Sequence, residues 1–183
     1  ERVNDLSAKD IAVGSTLVVT NEEHRFLALD QLRELYHIEA SLLLEPVGRN
    51  TAPALTIAAL EAMSAGEDPV LVVTPADQTV QDADQFKLSL QQAIRVAATG
   101  SIVILGITPN RPETGYGYIR REGQVGSFGE YTVAQFVEKP NLETAEQYLA
   151  DGHYSWNGGM FVLKASIWLK ALKQFRSDIA EVS

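Results

Sequence analysis

No cysteine occurs among the 183 residues. Disulfides, thiolate metal sites and a thiol nucleophile are therefore excluded, and the absence fits a reducing compartment. Basic side chains are also scarce. With 15 Lys and Arg against 24 Asp and Glu the net charge is −9, which leaves no broad basic face for a nucleic-acid partner. An anionic ligand would have to be held locally, by a few placed cations, backbone N–H groups and a metal. No apolar run approaches the roughly 18 residues of a membrane span, and the opening ERVNDLSAKD is unlike a signal peptide. These absences point to the cytoplasm. A G-x-G-x-x-G between strand and helix is missing too, which argues against a Rossmann dehydrogenase. His24, His37 and His153 have no metal-ligand spacing and read as surface residues. The tyrosines and tryptophans form no stripe on which bases could stack.

What the chain does have is 45% apolar residues, enough for one sizeable core at a length typical of one domain. Strand-like runs alternate with helix-like segments, the pattern of an α/β protein with helices on both faces of a mostly parallel sheet. The expected elements begin with a strand at Thr16 to Thr20, a helix over Glu22 to Tyr36 and a strand at Ser41 to Leu44. A helix over Thr51 to Ala65 follows, with Pro53 tolerated in its first turn. Then come a strand at Val70 to Thr74, a helix over Asp82 to Ala98 and a strand at Ile102 to Ile107. After Pro109 the rhythm changes. Gly115 to Arg121 and Tyr131 to Glu138 read as an antiparallel ribbon, joined by a polar surface loop over Glu122 to Glu130. Leu142 to Asp151 reads as a helix, Trp156 to Leu163 as a strand and Ala165 to Phe175 as a final helix. The fold class expected is a Rossmann-like doubly wound mixed sheet, predominantly parallel, with antiparallel additions in the second half.

Five segments carry candidate chemistry. EPVGRNTAPA (Glu45 to Ala54) lies where a strand ends and a helix begins, the place where open α/β sheets bind ligands. There Gly48 permits close approach, Arg49 brings a fork of donors, and Glu45 can accept from a base or sugar. Asn50 and Thr51 serve equally as a plain helix cap. In TPAD, Asp77 at the carboxyl end of an apolar strand suits a Mg²⁺ that bridges phosphates, or an Asx turn toward Thr79. GYGY (Gly115 to Tyr118) is either a tight turn or a backbone N–H turned to a ligand. In FVEKP, Glu138 and Lys139 leave a strand side by side. Strand alternation sends them to opposite faces, so no surface ion pair is expected between them. WNGGMF places Asn157-Gly158-Gly159 in an apolar strand, as a bulge or a close approach.

In this order and spacing, EPVGRNTAPA, TPAD, GYGYI, FVEKP and WNGGMF resemble the bacterial mannose-1-phosphate guanylyltransferases, within the sugar-1-phosphate nucleotidylyltransferase family. The similarity runs from about Val18 to Asp178. It implies a reaction of GTP with mannose 1-phosphate to give GDP-mannose and pyrophosphate, with Mg²⁺ as cofactor. Nucleic acid and membrane are not expected partners, and a homodimer is admissible. By the same resemblance Glu45, Gly48, Arg49, Asn50 and Thr51 line the guanine and ribose end of the nucleotide pocket, and Asp77 holds the metal. Gly117, Glu138 and Asn157 meet the mannose hydroxyls, and Lys139 meets the sugar phosphate. The catalytic assignments are Asp77 and Lys139.

Two departures from that family's pattern stand out. Its glycine-rich loop, with an Arg and a following Lys that grip the triphosphate, finds no counterpart in residues 1 to 17, and its second metal-binding aspartate is not found. Gln78 stands where many relatives have His. Residues 1–183 are thus expected to be a single, partial nucleotidylyltransferase domain truncated at both ends, inactive by itself. A non-catalytic nucleotide-sugar-binding relative, or an enzyme for another sugar 1-phosphate, stays open. The sequence ahead of Glu1 would discriminate.

Overall fold

A computed structural model describes residues 11–35, 39–48 and 50–180. Tyr36 and His37, like Arg49, lie outside the described residues. The chain forms two compact units. The first is drawn from Glu1–Val73, Gln78–Ile102 and Val162–Ser183, the second from Thr74–Asp77 and Val103–Phe161. Among the described residues no helix is long and apolar enough to cross a membrane.

In the first unit β1 (Thr16–Asn21) lies parallel to β2 (Ala40–Glu45), in register from Thr16 opposite Ala40 to Asn21 opposite Glu45. Parallel neighbours need a crossover. It contains α1 (Arg25–Glu34), shorter than the continuous helix expected from Glu22. The reason lies in Asn21, whose side chain accepts the His24 N–H at 3.0 Å and winds Glu22–His24 into a 3-10 turn first. None of α1 is buried, and Phe26 is 66% exposed. The periodic pattern at Phe26, Leu29 and Leu32 therefore marks a helix without marking a core face.

The better-packed helices of this unit are α2 (Thr51–Met63), α3 (Ala83–Ala98) and α5 (Ala165–Phe175). The start of α3 is capped by Asp82, which accepts the Gln85 N–H at 2.9 Å. Between α2 and α5 the buried Thr56 hydroxyl donates to the Ala52 carbonyl at 2.8 Å and accepts the Trp168 indole N–H at 3.1 Å. Its two hydrogen bonds offset the cost of desolvating the hydroxyl. The residue before α5 is Lys164, which offers no side-chain cap. Asp68, just ahead of β3 (Val70–Val73), caps the helix instead. Its carboxylate accepts the Ser166 N–H at 3.0 Å and the Ser166 hydroxyl at 2.8 Å, with the Lys164 ammonium 3.8 Å away. A short helix, α6 (Ser177–Ala180), follows.

The second unit holds β4 (Val103–Ile107), β5 (Tyr118–Val125), β6 (Glu130–Val137) and α4 (Leu142–Asp151). With them runs β7 (Tyr154–Lys164), whose last residues belong to the first unit. Strand β7 pairs with β3, β4 and β5, and β6 is an edge strand outside β5. Strand β5 pairs antiparallel with β6 and with β7, with Tyr118 opposite Val137 on one side and Trp156 on the other. An α/β chain with parallel pairing first and antiparallel additions later is what the alternation of elements implied. The polar loop expected over Glu122 to Glu130 is corrected: β5 continues through Val125 and only Gly126–Gly129 turn. Polar side chains suit an exposed hairpin, and two slips of register, at Arg120/Arg121 and Glu122/Gln124, absorb the mismatch in length. Tyr118, Ala145 and Trp156 form the buried centre, with Tyr148 and Tyr154 packed on it.

Hydrogen bonds from Ser166, backbone first and hydroxyl second, hold the Asp68 carboxyl below its ordinary value, with Lys164 adding to them. A depressed folded pKa contributes stability that is complete above the unfolded value of about 4 and is lost as pH falls through the folded one. In the full-length protein Asp68→Asn is expected to lower the melting temperature at pH ~7, by a margin that narrows toward pH ~3. A gap that does not change with pH would show that Asp68 acts without its charge.

Candidate functional site

Strand β2 ends on Glu45, one of two buried polar residues among those described, and Pro46 to Gly48 then run exposed toward α2. Gly48 has nothing within 4 Å of the place a Cβ would occupy, so no neighbour in the fold demands a glycine there. Asn50 precedes α2 with φ 67° and ψ −169°, a region almost restricted to glycine that costs on the order of 1–3 kcal/mol. Its side chain makes no capping hydrogen bond. The plain-cap reading of Asn50 is therefore set aside. The exposed Thr51 opens the helix, and the first-turn N–H groups have no intrahelical partners, Pro53 having no N–H to satisfy. Arg49 falls outside the described residues.

The second unit brings four predicted residues together around one loop. Gly117 is buried, and a Cβ on it would stand 2.7 Å from Glu138 Oε2, 3.2 Å from Phe136 and 3.4 Å from the Asn157 Cβ. Its carbonyl accepts the Asn157 N–H at 2.7 Å. The neighbouring Tyr116 carbonyl accepts the Lys139 N–H at 3.2 Å. Asn157 Oδ1 in turn accepts the Gly159 N–H at 3.0 Å, which supports the left-handed turn of Gly159 at φ 67°. Strand β7 runs unbroken through Asn157-Gly158-Gly159, and the glycines answer close approaches: Gly158 to the Leu105 carbonyl and Gly159 to the Pro75 ring. Asp77 follows Pro75 by two residues and is exposed.

One expectation fails here. Glu138 and Lys139 do form an ion pair, Nζ to Oε1 at 3.7 Å. Strand β6 stops at Val137 and Lys139 turns to φ 45°, so the alternation that would have separated them no longer applies. Both side chains are more than half exposed. Such a pair contributes little to stability and leaves both charges open to a ligand.

Among the described residues no three His, Cys, Asp or Glu side chains converge on a point. A single exposed carboxylate, Asp77, does suit the way Mg²⁺ binds, through one or two carboxylates, waters and substrate phosphates. The described histidines sit on the surface: His24 Nδ1 is 2.6 Å from Asn21 Oδ1, and His153 Nδ1 is 2.6 Å from Asp151 Oδ1.

Sequence reading passed over Arg111, Glu113 and Trp156, which fix the loop from below. The Glu113 carboxylate accepts the Gly115 N–H and Arg111 Nε, each at 3.2 Å, and its carbonyl accepts the Tyr118 hydroxyl at 2.9 Å. The Arg111 guanidinium lies 5.5 Å from the centre of the Trp156 ring, and Tyr116 meets that ring edge-on at 5.4 Å. The available signal was an Arg and a Glu two residues apart just ahead of a glycine turn.

The nucleotidyl transferase family profile matches residues 5–183. The chain belongs to that family. A mannose-1-phosphate guanylyltransferase of Escherichia coli K12 is 49% identical over an alignment of 174 residues that covers 91% of this chain and 36% of that protein. The xanthan biosynthesis protein XanB of Xanthomonas campestris (strain ATCC 33913) is 47% identical over 176 residues, 96% of this chain and 37% of its own length. In three dimensions the chain superposes on a Thermus thermophilus protein named mannose-1-phosphate geranyltransferase. The TM-score is 0.79 at 35% identity, over 91% of this chain and 47% of that one. This nucleotidyl transferase chain therefore spans little more than a third of the curated relatives it matches.

For the loop geometry, Gly117→Ala is expected to fold with a loss of about 1 kcal/mol in urea denaturation, because only the tip of Glu138 and the rim of Phe136 must yield. A loss of about 3 kcal/mol or more would mean that the backbone itself is blocked.

Proposed function

We propose that the protein containing this chain transfers a guanylyl group from GTP to mannose 1-phosphate. The sugar phosphate oxygen attacks the α-phosphorus of GTP, the bond to the β-phosphate breaks, and pyrophosphate leaves with the electron pair. GDP-mannose results with no covalent enzyme intermediate, so the protein's part is to align two anions and offset their charge. The observation that carries the reading is the cluster of Gly117, Glu138, Lys139 and Asn157 around one loop in a nucleotidyl transferase chain.

In this reading the Lys139 ammonium meets the sugar phosphate. Glu138 accepts from mannose hydroxyls, and the Gly117 N–H and the Asn157 amide nitrogen donate to them. The Asn157 oxygen is already engaged by Gly159, which leaves its nitrogen for the ligand. Glu45, Gly48, Arg49, Asn50 and Thr51 hold the guanine and ribose end. Asp77 is the protein's ligand to Mg²⁺, which when bound supplies charge neutralisation among the phosphates. Residues 1–183 act as one partial nucleotidylyltransferase domain, and the product feeds glycan synthesis in the cytoplasm.

The test is steady-state turnover by the full-length protein, with GTP in competition against the other nucleoside triphosphates. Lys139→Ala is expected to raise KM for mannose 1-phosphate about tenfold or more, with KM for GTP nearly unchanged. An unaltered sugar-phosphate KM refutes the role given to Lys139. Purified residues 1–183 alone are expected to form no GDP-mannose. Turnover at the full-length rate would overturn that expectation.

A further inference from the structure

Three backbone carbonyls of the segment Glu113 to Gly117 are taken by groups from elsewhere in the second unit. Glu113 receives the Tyr118 hydroxyl, Tyr116 the Lys139 N–H and Gly117 the Asn157 N–H. The last two place the backbones of two residues to which the proposed function gives substrate contacts. The loop can set their positions only if it is itself held. Its own chain does this poorly, since Gly115 and Gly117 carry no side chain and Tyr116 is 44% exposed.

Within its own chain, one carboxylate restrains the loop. Glu113, whose side chain is 29% exposed, binds the Gly115 N–H with Oε1 and Arg111 with Oε2. Arg111 is in turn laid over Trp156, the residue before Asn157, and Tyr116 closes on the same ring. The Trp156 indole N–H is buried with no hydrogen-bond partner among the described residues. That ring is therefore held by packing against Tyr118 and Ala145, with the Arg111 cation over it. The Gly115 N–H, with Arg111 second, holds the Glu113 carboxyl below its ordinary value. The group is thus ionised at neutral pH, as an acceptor of two donors must be.

We propose that Glu113 is a positioning residue for the sugar-phosphate side of the reaction: through Gly115 and the Arg111–Trp156 contact it sets Gly117, Asn157 and Lys139 without touching substrate. The inference rests on the mannose 1-phosphate reading. A purely structural role would lower stability and injure both substrates alike. A positioning role confined to this loop instead splits the kinetics.

The experiment uses the full-length enzyme. Glu113→Ala is expected to raise KM for mannose 1-phosphate about tenfold while KM for GTP stays within about twofold, since misplacements near 1 Å carry effects of that order or larger. Glu113→Gln keeps an oxygen for the Gly115 N–H and is expected to recover most of the loss. Arg111→Ala, which leaves Glu113 and its bond to Gly115 intact, is expected to show the same split more weakly. If Glu113→Ala does not fold, Arg111→Ala decides the matter by the presence or absence of that split. Equal injury to both substrates, or an unchanged sugar-phosphate KM in Glu113→Ala or, where that does not fold, in Arg111→Ala, overturns the proposal. The wild type is first assayed against a panel of sugar 1-phosphates. A preference for another sugar overturns the mannose reading alone, and the split is then read on the preferred sugar phosphate.

Discussion

The hydrogen bond from the Asn157 N–H to the Gly117 carbonyl, 2.7 Å long, joins the sheet of the second unit to its candidate site. It continues the antiparallel pairing of β5 with β7, in which Tyr118 stands opposite Trp156. Tyr118 and Trp156 also form the buried centre of that unit with Ala145. The same few residues thus bury apolar area, set strand register and bring Gly117 against Glu138 and Asn157. A Cβ at position 117 would displace the tip of Glu138. Burial behind the loop makes its front definite, because strand register cannot slip by one residue without turning Tyr118 and Trp156 out of the core.

Polar groups in the first unit follow a related rule of full satisfaction. Thr56 is buried between α2 and α5 and has both a donor role and an acceptor role filled. Asp68 reaches across 98 residues of chain to cap α5, a helix whose own flanking residue cannot. Each is worth about 1 kcal/mol or somewhat more as a hydrogen bond. Their larger effect is on specificity, since each names a particular helix neighbour that apolar packing alone would leave loosely defined.

Electrostatics shape the candidate site by scarcity. With a net charge of −9 the chain has no diffuse positive field to draw in an anion. Cations must be placed singly, and the second unit does so in two ways. Arg111 is committed, held by Glu113 and laid on Trp156. Lys139 is available, sharing only a long and exposed ion pair with Glu138. The strained Asn50 at the start of α2 belongs to the same pattern of local placement, a backbone distortion at the mouth of a helix whose first N–H groups have no intrahelical partners.

Local pattern was enough for most of the elements. The limits of α4 and α5 agree residue for residue with their periodicity, and those of β1, β2 and β3 within a few residues, because burial of alternate or every third to fourth side chain is written in the chain itself. The order of five short motifs was likewise enough to mark the family. Periodicity could not show that Asn21 would bend the first helix into a 3-10 turn, or that α1 would bury nothing. It could not show that β5 would run on through polar residues to Val125, because pairing satisfies backbone groups whatever the side chains are. Nor could it show that Glu138 and Lys139 would meet, which depends on a backbone turn at Lys139 tied to the Tyr116 carbonyl. Which residues serve which helix cap, and which carboxylate holds the loop under Gly117, are contacts between positions distant in sequence or turned by the backbone. Only the folded chain could decide them.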